Sequence, residues 1–87
     1  MNQTDQAIAQ AQTIKQKYEL DLLKKKYVVG IGIGFKQSGG KWTDTIAIVV
    51  NVEKKVEAAR LSSRDRLPDS LEGVPVDVVE VGRIRAL

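Results

Sequence analysis

Gly30-Ile31-Gly32-Ile33-Gly34 is the segment whose spacing comes nearest to a ligand-binding motif, because closely spaced glycines let backbone amides approach a phosphate. A dinucleotide fingerprint needs a further glycine three residues after the second, opening a helix whose amides hold the pyrophosphate. Counted from Gly30 that position is Phe35, and counted from Gly32 it is Gln37. A P-loop requires Gly-Lys-Ser or Gly-Lys-Thr, and the chain contains neither. The looser reading is a small-ligand or nucleotide surface formed by Gly30, Gly32 and Gly34 with Lys36 and Lys41 beside them. The plainer reading is a strand face against which a helix, a crossing strand or a partner chain packs closely.

Other chemistry is narrowed by what the chain lacks. Histidine and cysteine are both absent, so no Ser-His-Asp or Cys-His arrangement, no Cys/His zinc site and no thiol exchange can be assembled. Asp65, Asp69, Glu72, Asp77 and Glu80 could supply a carboxylate pair for proton transfer or a hard cation. Asp77 stands out because it lies between valines, where an inward carboxylate needs an arginine or a backbone donor. A carboxylate that bridges to a cation or caps a loop explains the same pattern without catalysis. Lys24-Lys25-Lys26 with Lys36 and Lys41 could form a basic edge, with Tyr27, Phe35 and Trp42 as stacking faces. Yet the net charge is only +3, and no signature of an RNA-recognition or helix-turn-helix module accompanies those lysines. They read as solvated side chains rather than a nucleic-acid site. Trp42, beside a glycine turn, is either an exposed anchor for a partner or a plug at one end of the core.

The elements that position these residues can be read from periodicity. The chain has 87 residues, enough for one domain, and its 43% hydrophobic and 29% charged composition is that of a folded protein. No run of eighteen apolar residues is present, and the polar first residues do not resemble a secretion signal, which together predict a cytoplasmic protein with no membrane span. Residues 4–26 predict one long helix, with Ile8, Ala11, Ile14, Tyr18, Leu22 and Lys25 on one face, Thr4 as its cap and Lys24–Lys26 in its last turn. At Tyr27 the period changes to two. Val29, Ile31, Ile33 and Phe35 then share one face and Gly30, Gly32, Gly34 and Lys36 the other.

Gln37 to Lys41 reads as one of the longer hairpin turns, leading to a strand from Trp42 to Glu53 that is apolar on both faces and therefore central. The hairpin as a whole occupies 27–56. The connection, 57–73, carries a single helical turn capped by Ser62 or Ser63, with Leu61, Leu67 and Leu71 tucked against the sheet. Glu72-Gly73 turns the chain into a last strand over 74–82, and 83–87 forms a tail. The fold class is α+β: a long helix on a three-stranded, mainly antiparallel sheet of undetermined strand order. Its predicted core combines Ile14, Tyr18 and Leu22 with Val29, Ile31, Ile33 and Phe35, then Ile46, Ile48 and Val50, and finally Val76 and Val78.

Three segments in order carry a family resemblance: the lysine-rich helix running into Tyr27-Val28-Val29-Gly30-Ile31-Gly32-Ile33-Gly34-Phe35-Lys36, the strand end Val49-Val50-Asn51-Val52-Glu53-Lys54-Lys55, and the block from Leu67-Pro68 through Gly73-Val74-Pro75-Val76-Asp77-Val78-Val79-Glu80-Val81-Gly82. Over residues 10–82 the chain resembles the N-terminal leader of bacterial trypsin-like serine peptidases related to the plant narrow-leaf protease. In that family the leader precedes a catalytic domain that carries the triad, so the resemblance implies a non-catalytic module and transfers no triad residue. The expectation is an interaction or oligomerisation domain without cofactor or metal. It would assemble with itself or dock on a protease domain of another chain, as chaperone or inhibitor. Gly30, Gly32, Gly34, Lys36, Lys41 and Trp42 are its candidate contact residues. A small chain buries a modest share of its surface, which makes self-association a common source of added stability.

Overall fold

The computed structural model describes residues 2–83. One helix, α1 (Gln3–Leu23), precedes a hairpin of β1 (Val28–Ser38) and β2 (Lys41–Val52). A crossover with two short 3-10 turns (Ala58–Arg60 and Ser63–Asp65) leads to β3 (Ser70–Leu71) and β4 (Val74–Glu80). The sheet order is β1-β2-β4-β3, with β1–β2 and β3–β4 antiparallel and β2–β4 parallel. The α+β class and the helix-on-sheet layering stand as expected. The sheet has four strands rather than three, because Ser70 and Leu71 pair with Pro75 and Val74 to add a short strand at the edge.

The helix starts one residue before its expected boundary. Asn2, not Thr4, caps it, with its side-chain oxygen accepting from the Asp5 amide at 2.8 Å. Its last residue is Leu23, so Lys24–Lys26 lie beyond the last turn and not within it. They meet the crossover instead: the Lys25 ammonium donates to the Arg64 carbonyl at 2.6 Å and the Lys26 amide donates to Asp65 at 3.1 Å. Capture of the lysines by the 63–65 turn outweighs the modest, solvent-screened attraction of a helix terminus. The expected apolar face is otherwise in place, with Ala11, Ile14 and Leu22 buried and Ile8 and Tyr18 packed against the core.

β2 is interior in the sheet, as its two apolar faces require. Ile46, Ile48, Val50 and Val52 are buried toward α1, and Ala47 is buried on the opposite face. β1 departs from strict alternation at its start. Val28 pairs with Val52 and Gly30 with Asn51, so Val29 is the extra residue of a β-bulge. That bulge moves Val28 into the inward position and leaves Val29 39% exposed, while Ile31 and Ile33 keep their places against the core. Phe35, also expected inside, stays in register opposite the buried Ile46 but is 44% exposed, at the last pair before the ladder is interrupted on the way to the hairpin turn.

Both hairpin turns are two residues long. Ser38 pairs with Lys41 across Gly39 and Gly40, and Leu71 pairs with Val74 across Glu72 and Gly73. All four central residues have positive φ, the backbone that fits the right-handed twist of flanking strands. The first turn is therefore tighter than expected, since two consecutive glycines accept that geometry at no steric cost. At Glu72, with φ +47, a side-chain-bearing residue is held in the left-handed region. Its carboxylate is clasped from α1: Lys17 donates to Glu72 Oε2 at 2.8 Å and the Tyr18 hydroxyl donates to the same oxygen at 2.9 Å.

The clasp carries a pH signature. The hydrogen bond from Lys17, then that from Tyr18, hold Glu72 below the usual carboxylate range, and Glu72 in turn raises both Lys17 and Tyr18. Asp65 is likewise lowered, first by the Ser62 hydroxyl and then by the Lys26 amide. A depressed carboxylate stabilises the fold above its unfolded pKa, near 4. That contribution fades as pH falls through the lower folded value. The raised Lys17 and Tyr18 contribute below about pH 10 and lose their effect above it. Thermal unfolding of the native protein is therefore expected to show a plateau that falls off at both ends. Glu72→Gln should have a lower Tm on the plateau, with its difference from wild type shrinking below about pH 4. A difference that stays constant down to pH 2 would show that the ionised clasp contributes nothing.

Candidate interaction surface

The expected contact residues all lie on the β1–β2 hairpin, spread along its length rather than gathered into one pocket. Ile31 and Ile33 pack toward α1, which puts Gly30, Gly32 and Gly34 on the sheet face away from the helix. The helix therefore does not explain the glycines, which corrects one arm of the packing expectation. A Cβ at Gly30 or Gly34 would sit 3.5 Å from Asn51 or Val49, ordinary contact, and at Gly32 nothing lies within 4 Å. Among the described residues no close approach demands a glycine there. Gly32→Val should leave the fold intact and raise stability by about 0.5–1 kcal/mol, the cost of an interior strand glycine. Loss of the folded state on chemical denaturation would show a tight contact at that face.

β1 also decides against a phosphate loop of the dinucleotide kind. Gly30, Gly32 and Gly34 pair with Asn51, Val49 and Ala47, and the strand continues to Ser38 and a turn instead of opening a helix. Lys36 is half-buried with its carbonyl accepting from the Thr43 hydroxyl at 2.8 Å, and Lys41 is exposed at the hairpin end. Trp42 is 71% exposed, which settles its position: it does not close the core. Nearby, the Gln37 amide donates to Asp77 at 3.0 Å. Asp77 thus has the backbone donor its place among valines called for, and it ties the hairpin end to β4.

Three of the other four candidate carboxylates also link elements: Asp65 to Lys26, Glu72 to α1, and Glu80 to the Lys55 amide at 2.7 Å, while Asp69 contributes its backbone carbonyl, which accepts from the Val76 amide at 2.9 Å. Among the described residues no cluster of three or more His, Cys, Asp or Glu side chains is placed to hold a metal, and no helix is long and apolar enough to cross a membrane. The expected tail falls partly on residues 84–87, outside the described residues.

β1 forms one edge of the sheet, and it is long, with 11 residues. It contains no proline and one charged residue, Lys36. Edge strands in monomers are usually shortened, charged or interrupted to prevent pairing with other chains, and β1 shows little of this defence beyond its two irregularities. Its distal end carries the exposed Phe35, with Trp42 on the neighbouring strand.

A second feature was not found in the sequence. Between the turn after α1 and the crossover lies a cleft of about 310 Å³, whose wall includes Tyr27, Val52, Lys54, Leu67 and Val78. None of the six expected contact residues lines it. Its parts come from four separate stretches of chain, so no local spacing could reveal it. The one local signal was a tyrosine directly after three lysines, at a change of period.

Residues 6–81 match the NARROW LEAF 1 N-terminal domain family, and the chain belongs to that family. No match to a curated protein was found.

Proposed function

We propose that this domain is a non-catalytic interaction module of the leader kind, working through the free edge of β1 and the exposed aromatic end of the hairpin. The observation that carries the reading is an 11-residue edge strand with a single charge, ending beside Phe35 and Trp42, which are 44% and 71% exposed. Unpaired strand groups supply backbone hydrogen bonds to an added strand, and aromatic side chains supply the apolar contact that fixes it. The first partner is a second copy, with the two β1 edges joined into a continuous sheet. In a longer relative, the same surface would seat the serine-protease domain that the family resemblance implies, as a folding aid or an inhibitor.

Native mass spectrometry under gentle conditions tests the self-pairing. The expected species is a multiple of 9.6 kDa with no added mass. A bare monomer at concentrations of tens of micromolar would overturn it. The non-catalytic part fails separately if a peptidase or esterase activity survives repurification and disappears on mutation of a residue of this chain.

A further inference from the structure

The cleft beside Tyr27 combines an apolar interior with a cationic mouth. Val52 and Val78 line it from β2 and β4, and Leu61 and Leu67 from the crossover. Around them stand Lys26, Lys54, Lys55 and Arg66, against one lining carboxylate, Asp65. That carboxylate is already engaged, accepting from the Lys26 amide at 3.1 Å and the Ser62 hydroxyl at 2.8 Å. Four cations beside a single hydrogen-bonded acid leave a positive field over an apolar surface, and such a field is complementary to an anion with an apolar body.

The geometry around Tyr27 sharpens this. The ammonium groups of Lys26 and Lys54 stand 5.1 and 4.9 Å from the centre of the same ring. Each is attracted to the ring, and both side chains belong to the cleft lining, where an anion entering the mouth can pair with them. Tyr27 has φ +72, unusual for an aromatic residue, and its carbonyl is held by the Glu53 amide at 2.8 Å. The left-handed residue turns the chain from α1 into β1 and puts the ring in the cleft wall. The volume of about 310 Å³ is at the lower end of the range for small-molecule sites.

We infer that this cleft binds a small organic carboxylate, the anionic group lying between Lys26 and Lys54 and the hydrocarbon body resting on Val52, Leu67 and Val78. The site is separate from the hairpin surface, so it stands or falls independently of the assembly reading.

Octanoate is a suitable probe, with 1-octanol and inorganic phosphate as its neutral and apolar-free counterparts. Each is titrated into the full 15N-labelled chain while amide shifts are followed. Octanoate is expected to saturate, with the largest shifts at residues 26–27, 52–56 and 61–67. Octanol should bind about tenfold more weakly or worse, which is the scale of one charge-assisted contact. The double variant Lys26→Gln, Lys54→Gln should lose about tenfold or more for octanoate with little change for octanol. Both lysines are exposed, so the variant should keep its fold, and an unchanged amide spectrum away from the cleft verifies that. Absence of saturation, scattered shifts, equal binding of octanol, or phosphate binding as tightly at the same amides would each overturn the proposal.

Discussion

Ile48→Ala is expected to destabilise the domain by about 2–5 kcal/mol, a large share of the total stability of a chain this small. Ile48 is fully buried in the interior strand, opposite Ile33 on β1 and beside Val76 on β4, and belongs to the cluster covered by Ala11, Ile14 and Leu22 of α1. Its truncation opens a cavity among elements that are fixed from both sides by strand pairing, so little collapse is available to offset the loss. A domain of this size has small reserves, with stability near the lower end of roughly 5–15 kcal/mol. Leu20→Ala is the matching control: Leu20 is 74% exposed on α1, and its loss should change stability by no more than about 0.5 kcal/mol. Urea unfolding of both variants at equal protein concentration provides the comparison, since self-association would make stability concentration-dependent. A loss below about 1 kcal/mol for Ile48→Ala would mean that the core does not lie between β2 and α1.

The second large effect concerns assembly. Trp42→Ala should raise the self-dissociation constant about 30-fold or more, corresponding to a hot-spot loss of at least about 2 kcal/mol. The monomer fold should be preserved, because Trp42 is 71% exposed and contributes little to the chain's own core. Sedimentation equilibrium of wild type and variant measures the constant, and circular dichroism verifies the fold. An unchanged constant in a protein that does self-associate would remove the aromatic end of the hairpin from the interface. The free edge would then remain as the contact, and Trp42 would have to serve another partner.

The two substitutions separate interior from surface, a distinction that alternation along β1 left incomplete. Val29 and Phe35 have the sequence parity of core residues but are 39% and 44% exposed: a bulge displaces Val29, and Phe35, still opposite Ile46, is the last residue before the ladder is interrupted again. Such irregularities depend on how two strands register against each other, and the periodicity of one strand carries no trace of them.

Much was nevertheless determined by the sequence alone. The helix and its buried Ala11, Ile14 and Leu22, the interior position of β2, the turn at Glu72-Gly73 and the absence of histidine and cysteine chemistry all follow from residue types at short spacing. Membership of the NARROW LEAF 1 N-terminal domain family, matched over residues 6–81, is the part of the resemblance that the local order of motifs carried.

Only the tertiary structure decided the parallel pairing of β2 with β4, the face from which the helix leaves the glycines uncovered, and the cleft at Tyr27. Lys26, Lys54 and Arg66 look like solvated charges in the chain and become neighbours once the crossover folds back over the sheet end. The physical reason is one of range. Hydrophobic periodicity and turn preference act over a few residues, whereas strand order and cleft walls are set by contacts between segments far apart in sequence.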